Sequence, residues 1–158
     1  MSKRIDPAAV VPVIGTSYPP PFDQPCRNRE RRRLGDLAGL TQFGVNLLRL
    51  PPGAWSSQRH WHSHEDEFVY VLAGEVALVT DAGAEILRAG DAAGFKAGER
   101  DGHHLQNRSG TEALLLEVGS RLPALDTTSY PQLDLLAPPG GSITYTHLDG
   151  RPYEKAPR

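Results

Sequence analysis

The chain has 158 residues, 17 of them basic and 19 acidic, for a net charge of −2. That length suits one domain with a sizeable core, and the near-even charge offers no electrostatic grip on nucleic acid or an anionic membrane surface. The opening MSKRIDPAAVVPV has no apolar run long enough for a signal-peptide core, no later run could span a bilayer, and Cys26 alone cannot form an internal disulfide. A soluble, cytoplasmic protein is expected.

Residues 1–33 hold Pro7, Pro12, Pro19, Pro20, Pro21 and Pro25, too many for a helix and unfavourable for a central strand. An extended arm is expected, with an apolar patch of Val10, Val11, Val13 and Ile14 that favours cover from the barrel or a partner subunit. Cys26 lies beside Arg27 and Arg29, which could lower a thiol pKa. No nearby His or second Cys completes a nucleophile and base, however, so an inert thiol is expected. The run Arg27, Arg29, Arg31, Arg32, Arg33 is interrupted by Glu30 and lacks interleaved aromatics for base stacking; it reads as a solvated or acid-paired stretch.

From about Thr41 to Gly119 short apolar runs alternate with Gly, Asp and Pro, the texture of consecutive antiparallel strands. Strands are expected near Phe43–Leu50, Glu67–Leu72, Val76–Thr80, Glu85–Arg88, Ala92–Phe95, His103–Asn107 and Ala113–Val118. Turns fall at Gly74-Glu75, Asp81-Ala82-Gly83, Ala89-Gly90-Asp91 and Ser109-Gly110. Short, evenly spaced strands imply an all-β barrel or double-sheet jelly roll over residues 34–120. Residues 121–158 return to Pro and Gly punctuation and read as an irregular extension packing on the barrel, with Leu133–Leu136 and Ile143–Thr146 able to add a strand.

Five of the six histidines fall in two patches, RHWHSHEDE and DGHHLQN. On an extended strand, residues i and i+2 share a face, so His60 and His62 can aim two imidazoles at one point. Glu67 heads the run EFVYVL, whose alternation sets Glu67, Val69 and Val71 on one face against Phe68, Tyr70 and Leu72. A carboxylate buried unpaired on an apolar face is costly, and a divalent cation would stabilise its charged form. His103, on a later strand, could supply a third imidazole. The set is then His60, His62, Glu67 and His103 around one divalent transition metal such as iron, manganese, nickel or zinc. His104 is the alternative to His103, and His64 an alternative to His60 or a solvent-side neighbour. Glu67 could instead stay outside the coordination sphere as a general base.

These residues resemble the two motifs of the cupin superfamily. Gly53, His60, His62, Glu67 and Gly74 match the first, with one extra residue between Gly53 and His60; Gly90, Gly98, His103 and Asn107 match the second. Lys96 stands where that motif has Pro, and Glu99–Gly102 lengthens the gap before the histidine. The spacing to Asn107 favours His103 over His104. The resemblance implies a small single-domain cupin of the conserved-barrel type, a double-stranded β-helix. It also implies a metal-dependent enzyme with dioxygenase, isomerase, epimerase, decarboxylase or lyase chemistry, or a metal-assisted binding or sensing module without turnover. Many cupin regulators attach a helix-turn-helix domain to the barrel, and neither the Pro-rich first 33 residues nor the Pro/Gly-rich tail is expected to supply two packed helices.

Val69, Val71, Leu78 and Leu105 suggest a mainly apolar pocket for a small-molecule ligand, with Arg49 and Gln58 as candidate polar contacts. Because both faces of FVYVL and ALLLEV are apolar, a homodimer is expected to cover one of them.

Overall fold

The computed structural model describes residues 3–140 and 144–154. In chain order the strands are β1 (Val13–Ile14), β2 (Glu30–Arg33), β3 (Phe43–Leu50), β4 (Trp61–His62), β5 (Glu67–Ala73), β6 (Glu75–Thr80), β7 (Gly83–Arg88), β8 (Ala92–Phe95), β9 (His104–Gln106), β10 (Ala113–Ser120), β11 (Thr128–Ser129) and β12 (Leu136–Ala137). One helical turn, α1 (Leu34–Leu37), links β2 to β3. Among the described residues no helix is long and apolar enough to cross a membrane.

A six-stranded sheet in the order β1-β2-β3-β10-β5-β8 and a three-stranded sheet β7-β6-β9 share one core between their inner faces, the all-β jelly-roll barrel expected of the sequence. Strand alternation builds it. Leu48 and Leu50 of β3, Ala113 and Leu115 of β10, and Val69 and Val71 of β5 point inward and meet Val76, Leu87 and Leu105 of the smaller sheet. Fully burying each Leu or Val stabilises the fold by roughly 1.5–3 kcal/mol before entropy is counted.

The expected strands Phe43–Leu50 and Ala92–Phe95 occur with those bounds, and four others are longer by one or two residues. The exception is His103–Asn107, which shortens to His104–Gln106, while His103 forms an isolated antiparallel bridge with His60. Asn107 leaves the ladder to hold the next turn, donating to Leu50 O at 2.8 Å and Thr111 O at 2.7 Å.

The segment read as an arm contributes more than a wrapping. Its β2 pairs antiparallel with β3, with Arg31 opposite Leu48 and Arg33 opposite Asn46. Four of the five arginines of the basic run are acid-paired, Arg27 to Asp23, Arg31 to Glu117, Arg32 to Glu30 and Arg33 to Asp36. Arg29 departs from the solvated or acid-paired reading, because it is buried and its hydrogen bonds run to backbone carbonyls.

A second apolar cluster joins the arm to the C-terminal extension through Tyr18, Cys26, Tyr130 and Leu135. Leu136 bridges Thr146 in that extension; Ile143, expected in the same segment, lies outside the described residues. Val11, Val13 and Ile14 of the arm are exposed in the single chain rather than covered by the barrel.

Candidate metal centre

Register places the site. Across the six-stranded sheet one inward row reads Gly44, Gly119, Glu67 and Phe95, and the next reads Arg33, Asn46, Glu117, Val69 and Ala93. Glu67 therefore stands at the end of β5 where the inner face changes from apolar to polar. The two glycines leave room beside it: a Cβ on Gly119 would lie 3.4 Å from Asp66 O and 3.8 Å from Glu67 Cγ.

His60 and His103 face each other through paired backbone hydrogen bonds, His60 N to His103 O at 3.1 Å and His103 N to His60 O at 2.9 Å. His62 lies in β4, opposite Thr128 of β11. Their three Nε2 atoms converge on a single oxygen, Glu67 Oε2, at 3.2 Å for His60, 3.5 Å for His62 and 2.8 Å for His103. His60, His62 and Glu67 offer ligand atoms all within 4.8 Å of one another, and His103 joins them through Glu67.

The far ring nitrogens explain why the near ones point inward. His60 Nδ1 donates to Gln58 O at 2.9 Å, which leaves its Nε2 as the lone-pair nitrogen when the ring is neutral. His62 Nδ1 donates to Asp126 Oδ2 at 2.7 Å. Asp126 is itself fixed, accepting from His64 N at 2.8 Å. Phe95 stacks on His103 with ring centres 3.5 Å apart and planes parallel within 1°. Lone pairs turned toward a carboxylate oxygen repel it unless a proton or cation lies between. Three imidazoles and one carboxylate, with the outer nitrogens of His60 and His62 held by acceptors and the His103 ring held by Phe95, thus fit a divalent transition metal in both softness and orientation.

The electrostatics agree. Burial alone would raise the Glu67 carboxyl pKa, but the three imidazoles hold it well below the ordinary carboxylate range. Burial likewise opposes charge on His62, yet hydrogen bonds to Asp126 and Glu67 prevail and raise it to about 10. The opposite holds for His103, which burial holds below an ordinary histidine despite its bond to Glu67.

His104 is occupied elsewhere. Its Nδ1 donates to Ser57 O at 2.9 Å, its Nε2 accepts from Gln106 Nε2 at 2.9 Å, and its ring packs edge-on against Trp55. Burial lowers its pKa to about 4, so it stays neutral and structural. His64 is exposed and interacts with Ser63, apart from the Glu67 oxygen.

Two cavities open on this cluster. The smaller, about 220 Å³, is lined by Trp61, Leu78, Lys96 and Glu99 besides His62, Glu67 and His103. The larger, about 570 Å³, continues past His60 to Tyr18, Arg29, Arg31, Glu117, Tyr130 and Tyr145. As expected of a mainly apolar pocket, Leu78 lines the smaller cavity and Val69 and Leu105 the larger, while β2 and the tyrosines of the second cluster add charge and hydroxyls to the wall away from the metal centre. Neither expected polar contact lines either cavity: Arg49 pairs with Glu30 and Glu112 on the sheet's other face, and Gln58 donates to Phe22 O. Asp126 and Tyr130 escaped sequence reasoning, since nothing in ALDTTSY ties it to a histidine some sixty residues earlier. Phe95, in contrast, shares inward parity with Ala93 and was within reach of strand alternation.

A family model described as a cupin domain matches residues 46–119. Among solved structures, the chain is similar to one described as a sugar phosphate isomerase from a cupin superfamily, from Silicibacter pomeroyi. The two are 40% identical, with 96% of each chain covered and a TM-score of 0.89. It is also similar to a putative sugar phosphate isomerase from Acidithiobacillus ferrooxidans, at 28% identity over 80% of this chain and 74% of that one, with a TM-score of 0.66. The polyketide cyclase of Streptomyces resistomycificus shares the fold at 22% identity, over 76% and 80% of the two chains, with a TM-score of 0.60. A comparison with curated proteins returns no match.

Proposed function

The chain belongs to the cupin superfamily, and from that footing we propose that it is a metal-dependent isomerase of a small phosphorylated sugar. The observation that carries the reading is the convergence of three imidazole Nε2 atoms on Glu67 Oε2, in a chain 40% identical over its length to a protein described as a sugar phosphate isomerase. In this reading His60, His62, Glu67 and His103 are the ligands. Bound there, a divalent manganese, iron, nickel or zinc ion would supply Lewis-acid polarisation of a substrate carbonyl.

Glu67 suits a ligand better than a general base. A carboxyl held so far below its ordinary range is a weak base at neutral pH, and all three histidines already claim its oxygen. The carboxylate of Glu65 also faces the larger cavity, its pKa is raised by burial, and it is the candidate for proton exchange with substrate carbon. Asp126 keeps His62 oriented, and Phe95 fixes the plane of His103. Supporting a homodimer, Phe68, Tyr70 and Leu72 project together from the outer face of β5 and are each at least 38% exposed.

The test is elemental analysis of untagged protein, wild type beside His60→Ala, His62→Ala, Glu67→Ala and His103→Ala, with aldose–ketose phosphate interconversion followed by NMR. Stoichiometric metal lost in the four variants, together with turnover lost in Glu65→Gln at full metal content, is the expected result. Wild-type protein that takes up no metal after reconstitution would defeat the reading. Metal without turnover of any phosphorylated sugar would leave a metal-assisted binding module.

A further inference from the structure

The larger cavity carries a surplus of positive charge at the wall beyond the metal centre. Arg29, the residue before β2, and Arg31 within it share inward parity, and both face this cavity. Arg31 is clamped by Glu117, with Nε to Oε2 at 2.7 Å and Nη2 to Oε1 at 2.9 Å. Arg29 has no carboxylate partner among the described residues, although only 8% of it is exposed. Its Nε donates to Gly15 O at 2.9 Å and its Nη1 to Ser56 O. Two guanidinium groups thus share one carboxylate in a partly desolvated wall, where an isolated cation is costly.

Among the described residues each arginine also keeps one amino group without an acceptor, Arg29 Nη2 and Arg31 Nη1. Asp23 Oδ1 is the fully enclosed side-chain polar atom that lacks a partner among the described residues, so these two amino groups open onto space rather than being sealed in protein. Beside them lie the hydroxyl-bearing Tyr18, Tyr130 and Tyr145, the last within 3.4 Å of Ser17 Oγ. Burial raises the pKa of all three, which keeps them neutral and able to donate. Tyr130 reaches back to the metal centre, its ring centre 6.0 Å from that of His60.

We propose that Arg29 and Arg31, with the hydroxyls of Tyr18, Tyr130 and Tyr145, form a subsite for a phosphate monoester dianion within the same cavity as the metal centre. The proposal rests on the functional reading only in taking that cavity as the substrate site. A dianion with three terminal oxygens matches two guanidiniums and several hydroxyl donors better than a carboxylate does, since it brings more charge and more acceptors to the same wall. Glu117 competes with the incoming anion for Arg31, which tunes affinity downward and lets product leave.

The experiment is calorimetric titration of inorganic phosphate into metal-free protein, so that phosphate cannot be held by a metal, with acetate as the control anion. Wild type should bind phosphate more tightly than acetate. Arg31→Gln should weaken phosphate at least about tenfold, the loss of one charge-assisted hydrogen bond of about 1.4 kcal/mol. Glu117→Gln should strengthen it, a gain that misfolding cannot mimic. Absence of phosphate binding, equal binding of acetate, or affinities unmoved in both variants would overturn the subsite. Metal uptake is measured on the same samples. Phosphate binding that follows this pattern in protein that takes up no metal would sink the metal-centre reading alone, and metal uptake without phosphate binding would sink the subsite alone.

Discussion

Metal binding to this protein should be tightly coupled to pH through His62. In the metal-free protein Asp126 and Glu67 raise His62 to about 10, so at neutral pH it is an imidazolium with both ring nitrogens protonated. Glu67 is already ionised, and burial keeps His103 below an ordinary histidine. Of the proposed ligands, His62 is therefore the one that must give up a proton before its Nε2 can coordinate. Between its pKa and neutrality each unit fall in pH should weaken the metal about tenfold, or about 1.4 kcal/mol, so affinity should rise about 100-fold from pH 6.5 to 8.5. Titration calorimetry with Mn2+ in two buffers of different ionisation enthalpy reads this directly, as roughly one proton released per ion near pH 7.5. Asp126→Asn removes the carboxylate that holds the second proton and should lower the release at that pH. Affinity independent of pH, with no buffer dependence of the heat, would refute both the imidazolium and its place in the ligand set.

Four further outcomes are expected. Leu115→Ala empties a fully buried position and should cost about 3–5 kcal/mol, lowering Tm by roughly 6–20 °C in a thermal melt. Gly74 and Gly53 both have positive φ, but a Cβ on Gly74 would lie 2.5 Å from Glu112 O whereas Gly53 has open space; Gly53→Ala should cost about 1 kcal/mol and Gly74→Ala several times that, compared by urea denaturation. Cys26 is fully buried and its thiol is pushed up to about 11, so a thiol reagent at pH 8 should label it only after unfolding. Phe68→Asp with Leu72→Asp should turn a dimeric mass by light scattering into a monomeric one while leaving metal content unchanged; a wild-type monomer would remove the dimer.

What the sequence disclosed follows the physics of alternation. β3 and β8 were legible because each is a short, largely apolar run bounded by turn punctuation, Pro51 after β3 and Gly90-Asp91 before β8, and Glu67 stood out as the one charge on an inward apolar row. The choice of His103 over His104 rested on spacing alone; in the structure His103 Nε2 lies 2.8 Å from Glu67 Oε2, while both nitrogens of His104 are engaged by Ser57 and Gln106. β2 stayed hidden because its residues are charged on both faces, so the period-2 signal vanishes although the strand is real. Strands β4, β11 and β12 have two residues each, too few to show any period. Asp126 and the tyrosine wall depend on the path of the extension around the barrel, a contact between distant parts of the chain that no local pattern encodes.

The inner face of β3, β10 and β5 changes character partway along each strand. At one end Leu48, Leu50, Leu115, Ala113 and Val71 interlock with the opposite sheet; at the other, Asn46, Glu117, Gly119 and Glu67 border open space. Cohesion and chemistry are thus segregated lengthwise within the same strands. A substitution such as Asn46→Asp alters what the barrel recognises while the interlocked rows, two or more residues away on the same backbone, go on holding the chain together. Such a scaffold can change its substrate by rewriting one end of three strands, leaving its melting behaviour almost untouched.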